Sequence, residues 1–317
     1  MVGRVVVVTG ASSGIGRASA ERFASRGDRL VLAARGEDAL LAVAARCRSA
    51  GAEVVTRVTD VTDRDAVRAL ADTAVDRFGG IDVWVDTAAV MAYGRFEDVP
   101  APVFDRVVTT NLIGAANVAR EALRVFRTRQ RGTLILGSSL LSRIAVPYVG
   151  AYVSSKWGHR ALARVLRQET RDAPDIHVCL VSPGSVNTPI YRSAANYAGR
   201  VGRPPPPVDA SAKVAAAVVR LADRPRPERS VGLANGLIRF GFTAMPPVYD
   251  LLVGPLMRVG GLSREEVAGH DGNVFGPGPR HDDEGEWGRH WLRAVAVGAV
   301  AAGVGAAAVV ARTRRRA

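Results

Sequence analysis

Apolar runs of strand length alternate along this chain with stretches of helical period, and that alternation constrains the fold more than any other feature. Residues 4–9, 29–34, 53–58, 81–87, 132–138 and 176–182 read as strands, with a weaker seventh near 230–234. Helical patterns fill 14–26, 37–50, 63–78, 102–129 and 148–170 between them. A strand–helix–strand repeat requires a crossover at each step, so the strands pair in parallel and the helices cover the sheet. The unbroken valines of residues 5–8 agree, since a strand covered on both faces has no polar side to show. The expected fold class is α/β, a doubly wound parallel sheet with helices on both faces, followed by a C-terminal extension.

Composition narrows the function classes. The chain has 317 residues, 48% hydrophobic and 23% charged, enough to bury a sizeable core and unlike a disordered or fibrous chain. Cys47 and Cys179 are its two cysteines; without CxxC spacing they read as small apolar residues in a reducing compartment. The net charge of +13 would suit nucleic acid, but Lys156 and Lys213 are the only lysines and the arginines are scattered. With no aromatic–basic module to read bases, no nucleic-acid partner is expected. No secretory signal precedes the first strand, which predicts that the folded domain lies in the cytoplasm.

The pattern loses regularity after residue 182. A proline-bearing loop covers 183–208, including the run Pro204–Pro207, and a helix resumes at 213–222. The expected organisation is a main folded domain at 1–245, an irregular extension and linker at 246–290, and an apolar helix at 291–317. Residues 294–311 carry no charge and would extend ~27 Å as a helix, close to the ~30 Å hydrocarbon core. Trp287 and Trp291 before it and the arginine cluster of 312–316 after it resemble interfacial anchors. Gly298, Ala302, Ala301 and Gly305 give small-residue spacing suited to close helix pairing. The expectation is a domain tethered to, or lying on, a membrane through this segment.

Directly after the first strand comes Thr9-Gly10-Ala11-Ser12-Ser13-Gly14-Ile15-Gly16, which opens the first helix. Glycines allow the tight turn and a close backbone approach to a pyrophosphate, and the helix N-terminus offers free N–H groups and a positive dipole end. Gly10, Ser12, Ser13, Gly14, Ile15 and Gly16 are therefore expected to hold a dinucleotide. The second strand ends at Arg35 with no carboxylate at its tip. A carboxylate would accept from a ribose 2′-hydroxyl, whereas an arginine pairs with a 2′-phosphate, so Arg35 predicts NADP(H) over NAD(H).

Tyr152 and Lys156 are spaced i, i+4 at the start of a long helix and share a face. Ser139 stands at the C-terminal end of the fifth strand, the edge at which such sheets hold ligands. Asn111 opens Asn111-Leu112-Ile113-Gly114 in the preceding helical segment. With these motifs in order, over about residues 3–235, the sequence resembles the short-chain dehydrogenase/reductase family, in its branch with TGxxxGxG, NxxG and Ser…YxxxK.

The resemblance implies a Rossmann fold and an oxidoreductase that interconverts an alcohol and a carbonyl. Tyr152 would be the proton donor or acceptor. Its ordinary pKa of ~10 calls for stabilisation of the phenolate by the Lys156 ammonium. Ser139 would hydrogen-bond the substrate oxygen, Lys156 would also grip the nicotinamide ribose, and Asn111 would hold a water in the proton relay. Ser138 alternates to the other face of the strand. Asp60 and Val61 resemble the adenine-contacting pair, while Pro183, Gly184, Val186 and Thr188 resemble the PGxVxT segment near the nicotinamide amide. Where the family has NNAG, this chain has Asp86-Thr87-Ala88-Ala89, keeping Ala88 but replacing the glycine; a methyl there costs about 1 kcal/mol if φ is positive and nothing otherwise. Relatives commonly pair through the two long helices after strands four and five, so a homodimer or homotetramer is expected.

Several other signals have plainer readings. His159 reads as a core or interface histidine, and the consecutive His281, Asp282, Asp283 and Glu284 lack metal-ligand spacing, so no metal is expected. Tyr93, Phe96, Tyr148 and Tyr191 could line an apolar substrate pocket or simply pack. With Ile190 beside Tyr191, a hydrophobic small molecule is favoured. The alternatives are a catalytically weak NADP(H)-binding protein recruited to a membrane or complex, and an epimerase or dehydratase that retains its nucleotide.

Overall fold

A computed structural model describes residues 3–278 together with Gly285 and Trp287. Seven strands form one sheet: β1 (Val5–Thr9), β2 (Arg29–Ala34), β3 (Val54–Val58), β4 (Val83–Asp86), β5 (Gly132–Gly137), β6 (Ile176–Pro183) and β7 (Glu228–Val231). Their order is β3-β2-β1-β4-β5-β6-β7 and every pairing is parallel. The chain winds outward from β1 to β3, then crosses back to β4 on the other side of β1. That reversal splits the connections apart at the C-terminal ends of β1 and β4, where open parallel sheets take ligands.

Helices α1 (Gly14–Ala24), α2 (Glu37–Ser49) and α3 (Arg64–Phe78) follow the first three strands. The expected single helix over 102–129 is instead α4 (Ala101–Val108), a π-turn at Thr109–Ile113 and α5 (Gly114–Arg129). Then come α6 (Gly150–Glu169), the short α7 (Ile190–Ser193) and α8 (Ser211–Asp223). Two apolar layers sandwich the sheet. One joins Val6, Val8, Leu30 and Leu32 to Phe23 and Val218, and the other joins Val7, Val31 and Trp84 to Leu70, Phe126 and Leu134. Alternate residues of the same strand thus feed opposite layers, which is why β1 runs as four valines before Thr9.

Beyond α8 the chain departs from the expected linker. α9 (Asn235–Ala244) and α10 (Pro246–Leu256) form an arm with Leu237, Phe240 and Leu251 exposed. Residues Leu262–Glu266 pair antiparallel with Arg200–Gly202, and His270 bridges to Asn196. Leu262 and Val274 are buried. Glycine and proline content gave this stretch the look of a linker, but its few apolar side chains find a place on the domain and fix it there. Cys47 and Cys179 are free and buried, as expected, and burial pushes both thiols up to about 11. Residues 279–284, 286 and 288–317 lie outside the described residues, and with them the His281–Glu284 run and the apolar 294–311 segment. No helix among the described residues is long and apolar enough to cross a membrane.

Candidate active site

The turn after β1 is shaped by contact with the loop after β4. Gly10 has a φ of +74°, and a Cβ there would lie 2.6 Å from the Ala88 nitrogen. A Cβ on Gly16 would lie 2.1 Å from the Gly10 carbonyl oxygen. Only hydrogen fits at either point, so the turn can lie flat against the sheet edge. Ser13 precedes α1 without capping it through its side chain, leaving the first-turn N–H groups facing outward.

A cleft runs along this edge. Its walls include Gly10, Ser12, Ser13, Gly14, Ile15 and Gly16 from the turn, Arg35 after β2, Asp60 and Val61 after β3, and Ala88 after β4. Tyr152, Lys156, Pro183 and Thr188 close the far end. Four expected site residues stand outside its lining. Ser139 meets the Tyr152 hydroxyl from the side, Asn111 lies behind the wall, Val186 is core, and Gly184 packs on Asn235. Three buried side-chain atoms on cleft-lining residues have no partner: Ser138 Oγ, Thr110 Oγ1 and Asn273 Oδ1. Unpaired buried polar atoms are costly, and here they gather where a polar ligand would satisfy them. The glycine cradle and these orphaned atoms fit a nicotinamide dinucleotide.

At the far end, Tyr152 and Lys156 project from the first turns of α6. The Lys156 Nζ stands 5.5 Å from the centre of the Tyr152 ring and donates to the Gly137 carbonyl at 2.7 Å. Ser139, whose Oγ accepts from the Leu141 N–H at 3.1 Å, lies close enough to the Tyr152 hydroxyl to act on its ionisation. Burial pushes Tyr152 above the usual tyrosine range, Tyr191 adds to this, and the Ser139 hydroxyl works against it. Within the protein alone Tyr152 is therefore a protonated phenol. Burial lowers Lys156 to about 8, while the Asp86 carboxyl works in the opposite direction.

Asn111 sits in the π-turn. Its Oδ1 accepts from the Val90 N–H at 2.9 Å, and its Nδ2 donates to the Val90 carbonyl and to Ser155 Oγ. The side chain thus clamps the loop after β4 to α6.

At the other end, Arg35 donates from Nη1 to the Val274 carbonyl at 3.2 Å and from Nη2 to the Asn273 carbonyl at 2.6 Å. Asp60 accepts from the Thr62 N–H and hydroxyl and from Arg106. Burial works against the Asp60 carboxylate, but those donors prevail and hold it below its ordinary range.

The short chain dehydrogenase family model matches residues 4–197, which hold the glycine turn, Ser139, Tyr152 and Lys156. The chain belongs to that family. An uncharacterized oxidoreductase of Bacillus subtilis (strain 168), YxnA, is 32% identical over 196 residues, which is 61% of this chain and 55% of YxnA. An 11-beta-hydroxysteroid dehydrogenase A of Sesamum indicum is 35% identical over 201 residues, 63% of this chain and 57% of that one. The chain thus spans little more than half the length of these two relatives. Among solved structures, an alcohol dehydrogenase from the archaeon Thermococcus sibiricus, complexed with 5-hydroxy-NADP, superposes with a TM-score of 0.63 at 30% identity. The match covers 72% of this chain and 95% of that one.

The departure from the family's NNAG motif proves mild in the backbone. Among described residues other than glycine, only Gln130 and Tyr148 have positive φ, so Ala89 carries no left-handed strain. Asp86 is the larger change. It is buried, accepts from Thr9 Oγ1 at 2.8 Å and from the Ala88 N–H, and burial pushes its pKa up against those bonds and Lys156.

His159 is a core residue, held neutral by burial and by nearby Lys156. Phe96 is exposed, Tyr93 is buried against Gly202, and the apolar cluster around Tyr152 also takes in Tyr191. Its ring meets buried Trp287 edge to face at 6.3 Å. Among the cleft residues the sequence did not disclose are Thr110, Ser193, Asn273, Pro277 and Gly278. Thr110 adjoins Asn111 and could have been suspected; the last three follow what looks like linker and carry no motif.

Proposed function

We propose that the protein is an NADP(H)-dependent oxidoreductase interconverting an alcohol and a carbonyl on an apolar small molecule. One observation carries this reading: Tyr152 and Lys156 stand at one end of the cleft that has Arg35 at the other, with Ser139 beside Tyr152. The dinucleotide, when bound, supplies the hydride donor or acceptor. Ser139 orients the carbonyl oxygen of the substrate. Tyr152, kept protonated by burial, gives its proton to the alkoxide as charge develops there. The Lys156 ammonium offsets the phenolate left behind, and Asn111 holds in place the loop beneath it.

Arg35 supports the choice of NADP(H). Two of its N–H groups are spent on main-chain carbonyls, which fix the guanidinium while leaving others for a 2′-phosphate. Ile190, Tyr191 and buried Trp287 support an apolar substrate, as does likeness to a relative named for a hydroxysteroid. Assembly as a homodimer or homotetramer draws support from Ile113 and Val165, apolar and exposed on the helices concerned. Membrane association through residues 294–311 rests on their sequence alone.

The test is substitution at the phenol. Tyr152→Phe should cut turnover of a carbonyl panel, followed at 340 nm with NADPH, by about 10²–10⁴-fold. NADPH affinity should stay within about twofold of the parent. Turnover surviving the loss of the hydroxyl would refute the assignment.

A further inference from the structure

Residues 273–278 enter the cofactor cleft from far outside the matched segment 4–197. Val274 is fully buried in a cluster with Val90, Val107 and Ala195, and the Asn273 N–H donates to the Ser193 carbonyl at 2.8 Å. A Cβ on Gly36 would meet the Pro277 Cβ at 3.2 Å. The segment therefore touches both lips of the cleft, the tip of β2 on one side and α7 on the other. Its carbonyls at 273 and 274 grip Arg35, and the Asn273 carboxamide oxygen stays buried at the cleft without a partner.

We propose that Asn273 is a further cofactor-binding residue, its carboxamide accepting a hydrogen bond from an N–H or O–H of the adenosine half of the dinucleotide. The same segment positions Arg35 for the 2′-phosphate. A buried carboxamide oxygen left unpaired costs stability that a ligand donor would recover. The donors available on that half of NADP(H) are the adenine amino group and the ribose 3′-hydroxyl. This inference rests on the NADP(H) reading above.

Calorimetry on the full chain with adenosine 2′,5′-bisphosphate, together with nicotinamide-fluorescence titrations of NADPH and NADH, tests it. Asn273→Ala should weaken the bisphosphate and NADPH by about tenfold, the scale of one lost hydrogen bond. Asn273→Asp keeps the shape and the acceptor but sets a negative charge near the 2′-phosphate. It should weaken NADPH by more than Asn273→Ala does while leaving NADH within about threefold. In Asn273→Asp, a purely structural role would instead weaken both dinucleotides alike. Melting curves matching the parent show that the variants are folded, and the isosteric aspartate covers the case in which alanine unfolds the segment. Parent-like affinity in both variants overturns the proposal. If the parent binds NADH as tightly as NADPH, the cofactor preference falls, yet weaker dinucleotide binding by Asn273→Ala still supports Asn273. If the parent binds no dinucleotide, both fall together.

Discussion

Lys156 is fully buried, with one carbonyl to donate to and Asp86 as its nearby counter-charge, so its ammonium is held at a cost. Its pKa of about 8 lies below the 10.5 of a free lysine, equivalent to roughly 3 kcal/mol against the charged form. Between those two values the unfolded chain binds a proton that the folded chain does not, so stability rises as pH climbs through that window. Below it the penalty is present in full. Lys156→Met should therefore melt higher than the parent at pH 7 while losing turnover. The difference in melting temperature should shrink as pH rises from about 8 to about 10.5. A variant less stable at neutral pH would show that Asp86 and the Gly137 carbonyl outweigh the desolvation. That Tyr152, Lys156 and Ser139 would meet was legible from spacing and strand position. The direction of the Tyr152 shift was not, because burial depends on how loops close over the site.

Among the elements, β7 shows how a strand can be held without an apolar run. Its sequence Glu228-Arg229-Ser230-Val231 carries one large apolar residue, so the sequence pattern set it two residues late, near 230–234. Glu228 instead anchors it, receiving Arg143, Arg160 and Ser182. Burial raises its pKa, but the three donors prevail and bring it down to about 2. Stability from a depressed carboxylate is complete above its unfolded value of 4.5 and is lost as pH falls toward the folded one. Glu228→Gln should cost about 2–3 kcal/mol at pH 7 in urea unfolding, and the gap to the parent should close between pH 4.5 and 2. A gap independent of pH would point to packing instead. The strands β1, β2, β5 and β6 were readable because each feeds both apolar layers. The π-turn was not, since nothing in Thr109–Ile113 breaks the helical period.

For the molecule as a whole, the cleft joins parts far apart in sequence, and a ligand bound there should stabilise all of them together. At a concentration of 100 Kd, NADPH should add about 2.7 kcal/mol. In differential scanning calorimetry that is several degrees, with NADH at equal concentration giving less. Equal shifts from the two would remove Arg35 from its role. The parallel sheet and the glycine turn were written plainly in periodicity and spacing. Residues 261–278 were misjudged because their glycines and prolines outnumber the two side chains, Leu262 and Val274, that seat them.

Gly10 and Asn273 face the same cleft from opposite ends of the described chain. During synthesis, β1 through β7 leave the ribosome complete while residue 273 is still unmade. A nascent chain at that stage would have its entire sheet but an open-sided nucleotide pocket, and would become competent for tight cofactor capture only as its last described stretch emerged.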